Sequence, residues 1–311
     1  MKVIRSFAVG SLALSFMLAL TLGLTLASSN PAYSAANSLD TKAPMPWVPT
    51  LPKIAIILDD LGYNRPSGER ALQLPGNITY AIIPFTPYSQ TFANAAFDRN
   101  REVILHMPME SSDSTRKLDQ GGLTRNQSEV EVKARVKKAI QSVPHIVGLN
   151  NHMGSNVTAD TQMMQWVMQE VRNQPLYFID SMTNPHSVAN DSAAQFAIPT
   201  LKRDIFLDNV QTEAAVERMF RALIKVAQER GHAIAIGHPY PATLTYLEKV
   251  LPKLQEMGVE LVDASDLVMQ FGQPVDQPIN AEDLLQHIVA MPAPESQRLN
   301  FSNENLYNRT L

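Results

Sequence analysis

Apolar residues in this chain gather into short, nearly continuous runs, and amphipathic stretches separate them. The runs at Lys53–Leu58, Ile78–Ile83, Glu102–His106, Ile146–Leu149, Leu176–Ile179, Ala233–Ile236 and Val259–Val262 predict strands. A weaker eighth lies near Ile198–Leu201. Few of them alternate polar with apolar residues, as expected of strands covered on both faces. The clearest helical pattern is Thr212–Arg230, where Val216, Met219, Phe220, Leu223 and Ala227 share one face and Gly231 supplies the stop. A second helix starts at Ser128, which fits a capping box with Glu131, and continues through Val132, Val136 and Ile140. A third, Thr161–Val171, carries Met164, Val167, Met168 and Val171 on one face. Strand alternating with helix over about 210 residues predicts an α/β fold with a largely parallel sheet. Seven to eight strands favour a (β/α) barrel, distorted or incompletely closed, over a doubly wound open sheet.

The ends of the chain read differently. Lys2 and Arg5 precede an apolar run from Phe7 to Ala27, and small residues follow as far as Ala35 and Ala36. That order predicts a signal peptide or an uncleaved N-terminal anchor over residues 1–36, and in either case export to the periplasm or cell envelope. Residues 37–52 read as a Pro-rich linker. Residues 272–311 read as a poorly ordered tail with one short helix near Ala281–Val289. This leaves residues 53–271 as the barrel domain. The chain has no cysteine, so stability comes from a core rather than disulfides, and thiolate catalysis and thiolate metal sites are excluded. The formal charge is −4, and about −6 once Lys2 and Arg5 are removed, which argues against a nucleic-acid partner.

In parallel α/β folds the chemistry collects where the strands end. Here those ends offer Asp59 and Asp60, then His106 with Glu110, then Asn150, Asn151 and His152. They continue with Asp180 and Ser181, then His238 and Tyr240, and last Asp263 and Asp266. One histidine after a strand is as a rule a hydrogen-bonded structural residue. Three of them beside an Asp pair favour a site for zinc or another first-row divalent ion. Neighbouring strand residues point to opposite faces, so only one of Asp59 and Asp60 fits a ligand position without help from a frayed strand end. Glu110 stays open as a ligand, a partner to a ligating His, or the start of a loop. His145 and His186 read as surface residues, His232 starts a strand at the end opposite the mouth, and His287 lies in the tail.

The stretches IAIILDDLGYN, REVILHMPME, GLNNHMGSNVT, YFIDSMT, LKRDIFLDN and AIAIGHPYPATL resemble the divergent polysaccharide deacetylases, over about Ile54 to Asp266. Those proteins are related to the metal-dependent carbohydrate esterases that remove N-acetyl groups from chitin and peptidoglycan. The resemblance implies Asp59 as base, Asp60 and His106 as metal ligands, and His238 as acid to the leaving amine. In the His-(Ser/Thr)-x-x-His motif of the well-studied enzymes, the second His is replaced here by Glu110. Their Arg-and-aromatic motif is replaced by Asn150, Asn151 and His152, which makes His152 the candidate third ligand. Asp180 is a candidate partner to a ligand or the acid, and Arg203 with Asp204 a brace for the mouth.

The implied function is an exported, zinc- or other divalent-metal-dependent hydrolase acting on an N-acetylated envelope polysaccharide. The alternative is an inactive glycan- or protein-binding module of the envelope, and hydrolysis of another bond is a third reading. A Gly-x-Ser-x-Gly elbow, a phosphate-binding Gly loop and a dinucleotide fingerprint are all missing, which disfavours serine hydrolase, NTPase and dehydrogenase.

Overall fold

The computed structural model describes residues 50–273. The expected signal or anchor, nearly all of the linker, and the tail with its short helix fall outside them. No helix of the described residues is long and apolar enough to cross a membrane. Nine strands form one parallel sheet: β1 (Lys53–Leu61), β2 (Ile78–Ile82), β3 (Val103–Met109), β4 (Ile146–Met153), β5 (Tyr177–Asp180), β6 (Thr200–Lys202), β7 (Ile205–Phe206), β8 (His232–Gly237) and β9 (Glu260–Leu261). Among the described residues seven α-helices connect strands and an eighth follows β9: α1 (Arg65–Ala71), α2 (Ser89–Phe97), α3 (Glu129–Ser142), α4 (Thr161–Val171), α5 (Ala189–Gln195), α6 (Glu213–Arg230), α7 (Pro241–Val250) and α8 (Ala264–Phe271).

The strand order is β6-β5-β4-β3-β2-β1-β8-β7, with β9 beside β1. Its two ends, β6 and β7, are joined by Arg203 and Asp204 alone. Two residues between strands reach only ~11 Å at full extension. The sheet therefore curls round on itself into a distorted barrel whose seam is bridged by chain, and the doubly wound alternative is excluded. The Arg203 N–H donates to Asp180 O and the Asp204 N–H to Ile234 O, both at 2.9 Å, which fastens the bridge to both sides.

Side-chain parity splits the core in two. Ile54, Ile56 and Leu58 of β1 face outward and pack with Phe92, Val136, Val167 and Leu223 of the surrounding helices. Ala55 and Ile57 face inward with Ile104, Tyr177, Ile179, Ile234 and Ile236. The longer strands thus bury both faces, which explains their continuous apolar runs. The helices end where the sequence indicates. Ser128 and Glu131 form the reciprocal capping box of α3. Thr212 caps α6, and Gly231 closes it at φ 86.

The strand near Val259–Val262 departs from expectation. It shrinks to β9, which pairs only with Lys53 and Ile54 at the start of β1. Helix α8 then enters the lower end of the barrel with Ala264, Leu267 and Val268. Asp263 and Asp266 consequently belong to the bottom of the barrel and not to the mouth. Glu102 lies buried there, accepting from Thr79 Oγ1 and the Tyr177 hydroxyl, both at 2.8 Å. Asp263 Oδ1 is buried without a hydrogen-bond partner among the described residues.

Burial, then the Glu102 charge, pushes the Asp263 carboxyl up to about 7. Between its usual value of 3.8 and 7 the folded state holds a proton that the unfolded state has lost, so stability falls as pH rises through that window. Asp263→Asn removes the ionisation. Its thermal midpoint is expected to match wild type near pH 4 and exceed it at pH 8, by about 2–4 °C for each kcal/mol relieved. Calorimetry at the two pH values checks this, and an equal offset at both contradicts it.

Candidate active site

The inward rows that are apolar in the barrel turn polar at its C-terminal mouth. Asp59 continues the row of Ala55 and Ile57, His106 follows Ile104, and His238 follows Ile234 and Ile236. On β4 the inward positions are Gly148, Asn150 and His152. A Cβ on Gly148 would lie 2.6 Å from the Tyr177 ring, so glycine lets that ring fill the interior. Parity alone would turn Asp60 outward. The β1–β2 register, however, runs from Leu58↔Tyr80 to Leu61↔Ile82, setting three steps on β1 against two on β2. Asp60 takes up the extra residue in a left-handed conformation at φ 61. Both carboxylates then reach the same mouth, by a bulge within the strand rather than by fraying.

Pro108 sits inside β3 because β2 has already ended alongside it, at Ile82↔Leu105. The loop residue Leu123 takes the vacated side, its N–H donating to Pro108 O at 3.0 Å. Strand β3 therefore runs on to Met109 in register with β4. His106 faces Asn150 across this pair and Pro108 faces His152.

Asp60, His106 and His152 each offer one ligand atom, and these atoms lie within 4.8 Å of one another. His106 Nε2 is 3.1 Å from Asp60 Oδ1 and 3.5 Å from Asp59 Oδ2. His152 Nδ1 is 2.9 Å from Asp60 Oδ1 and 3.1 Å from His106 Nε2. Asn150 Nδ2 donates to Asp59 Oδ1 at 2.8 Å, which turns its Oδ1 to His106 Nδ1 at 2.6 Å. The His106 ring accordingly donates from Nδ1, and its Nε2 faces the cluster.

On the far side, His238 Nδ1 meets Asp208 Oδ1 at 2.9 Å. Asp208 Oδ2 accepts from the His238 N–H at 2.6 Å and from Thr243 Oγ1 at 2.8 Å. His238 Nε2 then lies 3.7 Å from Asp60 Oδ2, with the Phe206 ring edge-on and the Tyr240 ring stacked beside it. The mouth holds a cavity of about 570 Å³, whose polar wall includes Ser111, Arg116, Thr183, Asn209 and Gln211.

Electrostatics separate the two aspartates. Burial raises the Asp59 carboxyl above its usual value, against the lowering effect of His106 and His238. Burial acts on Asp60 too, but its contacts with His106 and His152 outweigh it and hold the group well below the usual range. Burial disfavours a charged His152, yet Asp119 and Asp60 push it up to about 10. Burial likewise opposes charge on His238, and Asp208, then Asp60, push it up to about 9.

Two candidates lie elsewhere. Glu110 Oε2 accepts from the Arg125 N–H at 2.8 Å, and the Glu110 N–H donates to Leu123 O at 2.8 Å. It therefore begins the loop after β3 and lies outside the ligand cluster. Asp180 falls on the outward parity of β5, next to inward Ile179. Its carboxylate accepts from the Met182 N–H and the Ser187 hydroxyl, so it shapes the following loop and orients no histidine. Asn151 ties β4 to the same loop by accepting from the Ser181 N–H at 2.9 Å. Arg203 braces the mouth through Ser181 O and Met182 O, whereas Asp204 sits lower, paired with Arg230 and the Ile234 N–H.

His186 is exposed, and His145 is half-buried against Phe97 and Asn94. His232 stacks on Phe271 of α8, far from the mouth. Sequence reasoning missed Asp208 and Asp119. Strand β7 is two residues long and gave no periodic signal, so nothing marked Asp208 as a residue past a strand end. Asp119 sits in a loop with no pattern of its own.

The fold agrees with comparisons to known proteins. The chain matches the profile of the divergent polysaccharide deacetylases over residues 56–268. It belongs to that family. An uncharacterised protein of Haemophilus influenzae is 39% identical over 215 residues, covering 69% of this chain and 76% of the relative. The uncharacterised protein YibQ of Escherichia coli is 36% identical over 216 residues, covering 70% of this chain and 67% of its own. The crystal structure of an uncharacterised protein from Agrobacterium tumefaciens shares the fold, with a TM-score of 0.68 at 21% identity over 71% of this chain and 92% of that one.

Asn150 is buried and serves two partners at once. Asn150→Ala strands Asp59 Oδ1 and His106 Nδ1, and is expected to cost about 1–3 kcal/mol of stability for each buried group left unpaired. Urea unfolding checks this, and a loss below ~0.5 kcal/mol contradicts it.

Proposed function

We propose that this protein is a metal-dependent deacetylase acting on an N-acetylated glycan of the cell envelope. The observation that carries the reading is the convergence of Asp60, His106 and His152 between Asp59 on one side and His238 on the other. The donor set fits a divalent first-row ion such as zinc, as nitrogen and oxygen ligands without sulfur. The outer atoms of the rings support the fit. Asn150 occupies Nδ1 of His106 and Asp119 occupies Nε2 of His152, leaving one ring nitrogen of each turned inward beside Asp60. Such a group needs a positive charge at its centre. In the protein alone, protonation of His152 supplies it, and metal binding would displace that proton.

Asp60, His106 and His152 would hold the ion, which when bound polarises the amide carbonyl and makes its water a better nucleophile. Asp59 accepts the water proton. Burial has raised its basicity, and Asn150 keeps one oxygen in place, which leaves Oδ2 for the reaction. His238 presents Nε2 to the site because Asp208 holds Nδ1, and its raised value keeps it protonated at neutral pH as the acid for the departing amine. Hydroxyl and amide groups around the cavity suit a polyhydroxyl substrate, and the volume lies within the ~300–1,000 Å³ common to small-ligand sites. Export directed by residues 1–36 would deliver the domain to such a glycan.

Elemental analysis of the purified protein, together with acetate release from N-acetylglucosamine oligomers, tests the reading. One divalent ion per chain is expected in wild type, and its loss in Asp60→Ala and His152→Ala. Asp59→Asn should keep the ion and lose turnover by about 10²–10⁴-fold. Undiminished turnover in Asp59→Asn, or a wild type that takes up no metal on incubation with zinc, overturns it. Glycan binding without metal or turnover would assign the protein to the binding modules instead.

A further inference from the structure

The loop between β3 and α3 carries a carboxylate with both oxygens engaged. Asp119 Oδ2 lies 3.1 Å from His152 Nε2, and Asp119 Oδ1 accepts from the Tyr63 hydroxyl at 2.6 Å. The two nitrogens of an imidazole diverge, and His152 Nδ1 is the one turned to Asp60 and His106. Asp119 therefore sits on the ring edge away from the cluster and outside the group of converging ligand atoms. A carboxylate on the outer nitrogen of a ligating histidine fixes its tautomer and its rotation. His106 has Asn150 for this purpose within the barrel. His152 stands at the rim, with 16% of its side chain exposed, and has no such partner from the barrel interior.

We propose that Asp119, pinned by Tyr63, is the positioning residue that holds His152 in its ligating orientation. The proposal rests on the reading of Asp60, His106 and His152 as metal ligands. The support is built in from two directions. Tyr63 leaves β1 through Gly62, at φ 139, where a Cβ would come 2.1 Å from Thr86 Oγ1. That turn accepts no side chain, and the Ile83 N–H on Leu61 O and the Tyr88 N–H on Gly62 O hold it in place. The loop is anchored at both ends by the Glu110 N–H on Leu123 O and the Leu123 N–H on Pro108 O. It also brings Ser111, Asp113 and Arg116 to the cavity wall. One loop thus lines the cavity and holds the ring of the third ligand.

Zinc affinity, read by competition with a chromophoric chelator, tests this on the purified protein. Asp119→Ala is expected to weaken binding by about 10–100-fold. Asp119→Asn, which keeps an acceptor, should fall between it and wild type, and Tyr63→Phe should lose less than Asp119→Ala. In the metal-free protein the His152 Nε2–H should give a protected ring-proton resonance in nuclear magnetic resonance. That signal should vanish in Asp119→Ala while the metal-free thermal midpoint stays within a few degrees of wild type. Unchanged zinc affinity, or a persisting resonance in Asp119→Ala, overturns the proposal. A wild type that takes up no zinc overturns the metal-site reading instead, and the resonance then decides separately whether Asp119 holds the ring.

Discussion

The site depends on the alternation of side chains along parallel strands, and on one residue that breaks it. Because a strand's period is two, each strand of the barrel sends one row to the helices and one to the interior. The interior row is apolar through the middle of the barrel and turns polar at the mouth, where it reaches solvent. Asp59, His106, Asn150, His152 and His238 all obey that rule. Asp60 does not, and the β1 bulge with its left-handed backbone returns it to the inner face. Non-glycine residues with positive φ also end β4, at Met153, and follow β5, at Met182. Backbone strain of this kind persists only where packing holds it, and these three residues line the candidate site.

Charge is the second constraint. Four carboxylates (Asp59, Asp60, Asp119 and Asp208) and three imidazoles share a small volume. Each imidazole has a distinct outer partner: Asn150 for His106, Asp119 for His152, Asp208 for His238. The carboxylates on His152 and His238 favour the charged ring at both. Asn150 also spans the gap between His106 and the buried Asp59. Burial nonetheless keeps the Asp59 carboxyl above its usual value.

The opposite end of the barrel shows that acidic residues after a strand do not by themselves mark a mouth. Asp263 follows β9, but β9 pairs with the start of β1, so its carboxylate faces Glu102 at the bottom. Strand polarity is a property of the sheet register, which a local pattern cannot supply. Asp180 makes the same point through parity. It ends β5 at the mouth and still faces the loop, because Ile179 takes the inward position.

The sequence by itself determined the alternation of strands and helices, the caps of α3 and α6, and the conjunction of Asp60, His106 and His152 at strand ends. These are local: they follow from apolar runs, from capping chemistry and from residue types next to a run. Tertiary structure decided the closure of the sheet through Arg203 and Asp204, because β6 and β7 are too short to show a period. It decided that Asp59 and Asp60 share a face, because the bulge is measured against β2. It also placed Glu110 in a loop and recruited Asp119 and Asp208, whose partners lie 33 and 30 residues away along the chain. Partners at such distances are brought together only by the barrel's closure, and no local pattern encodes them.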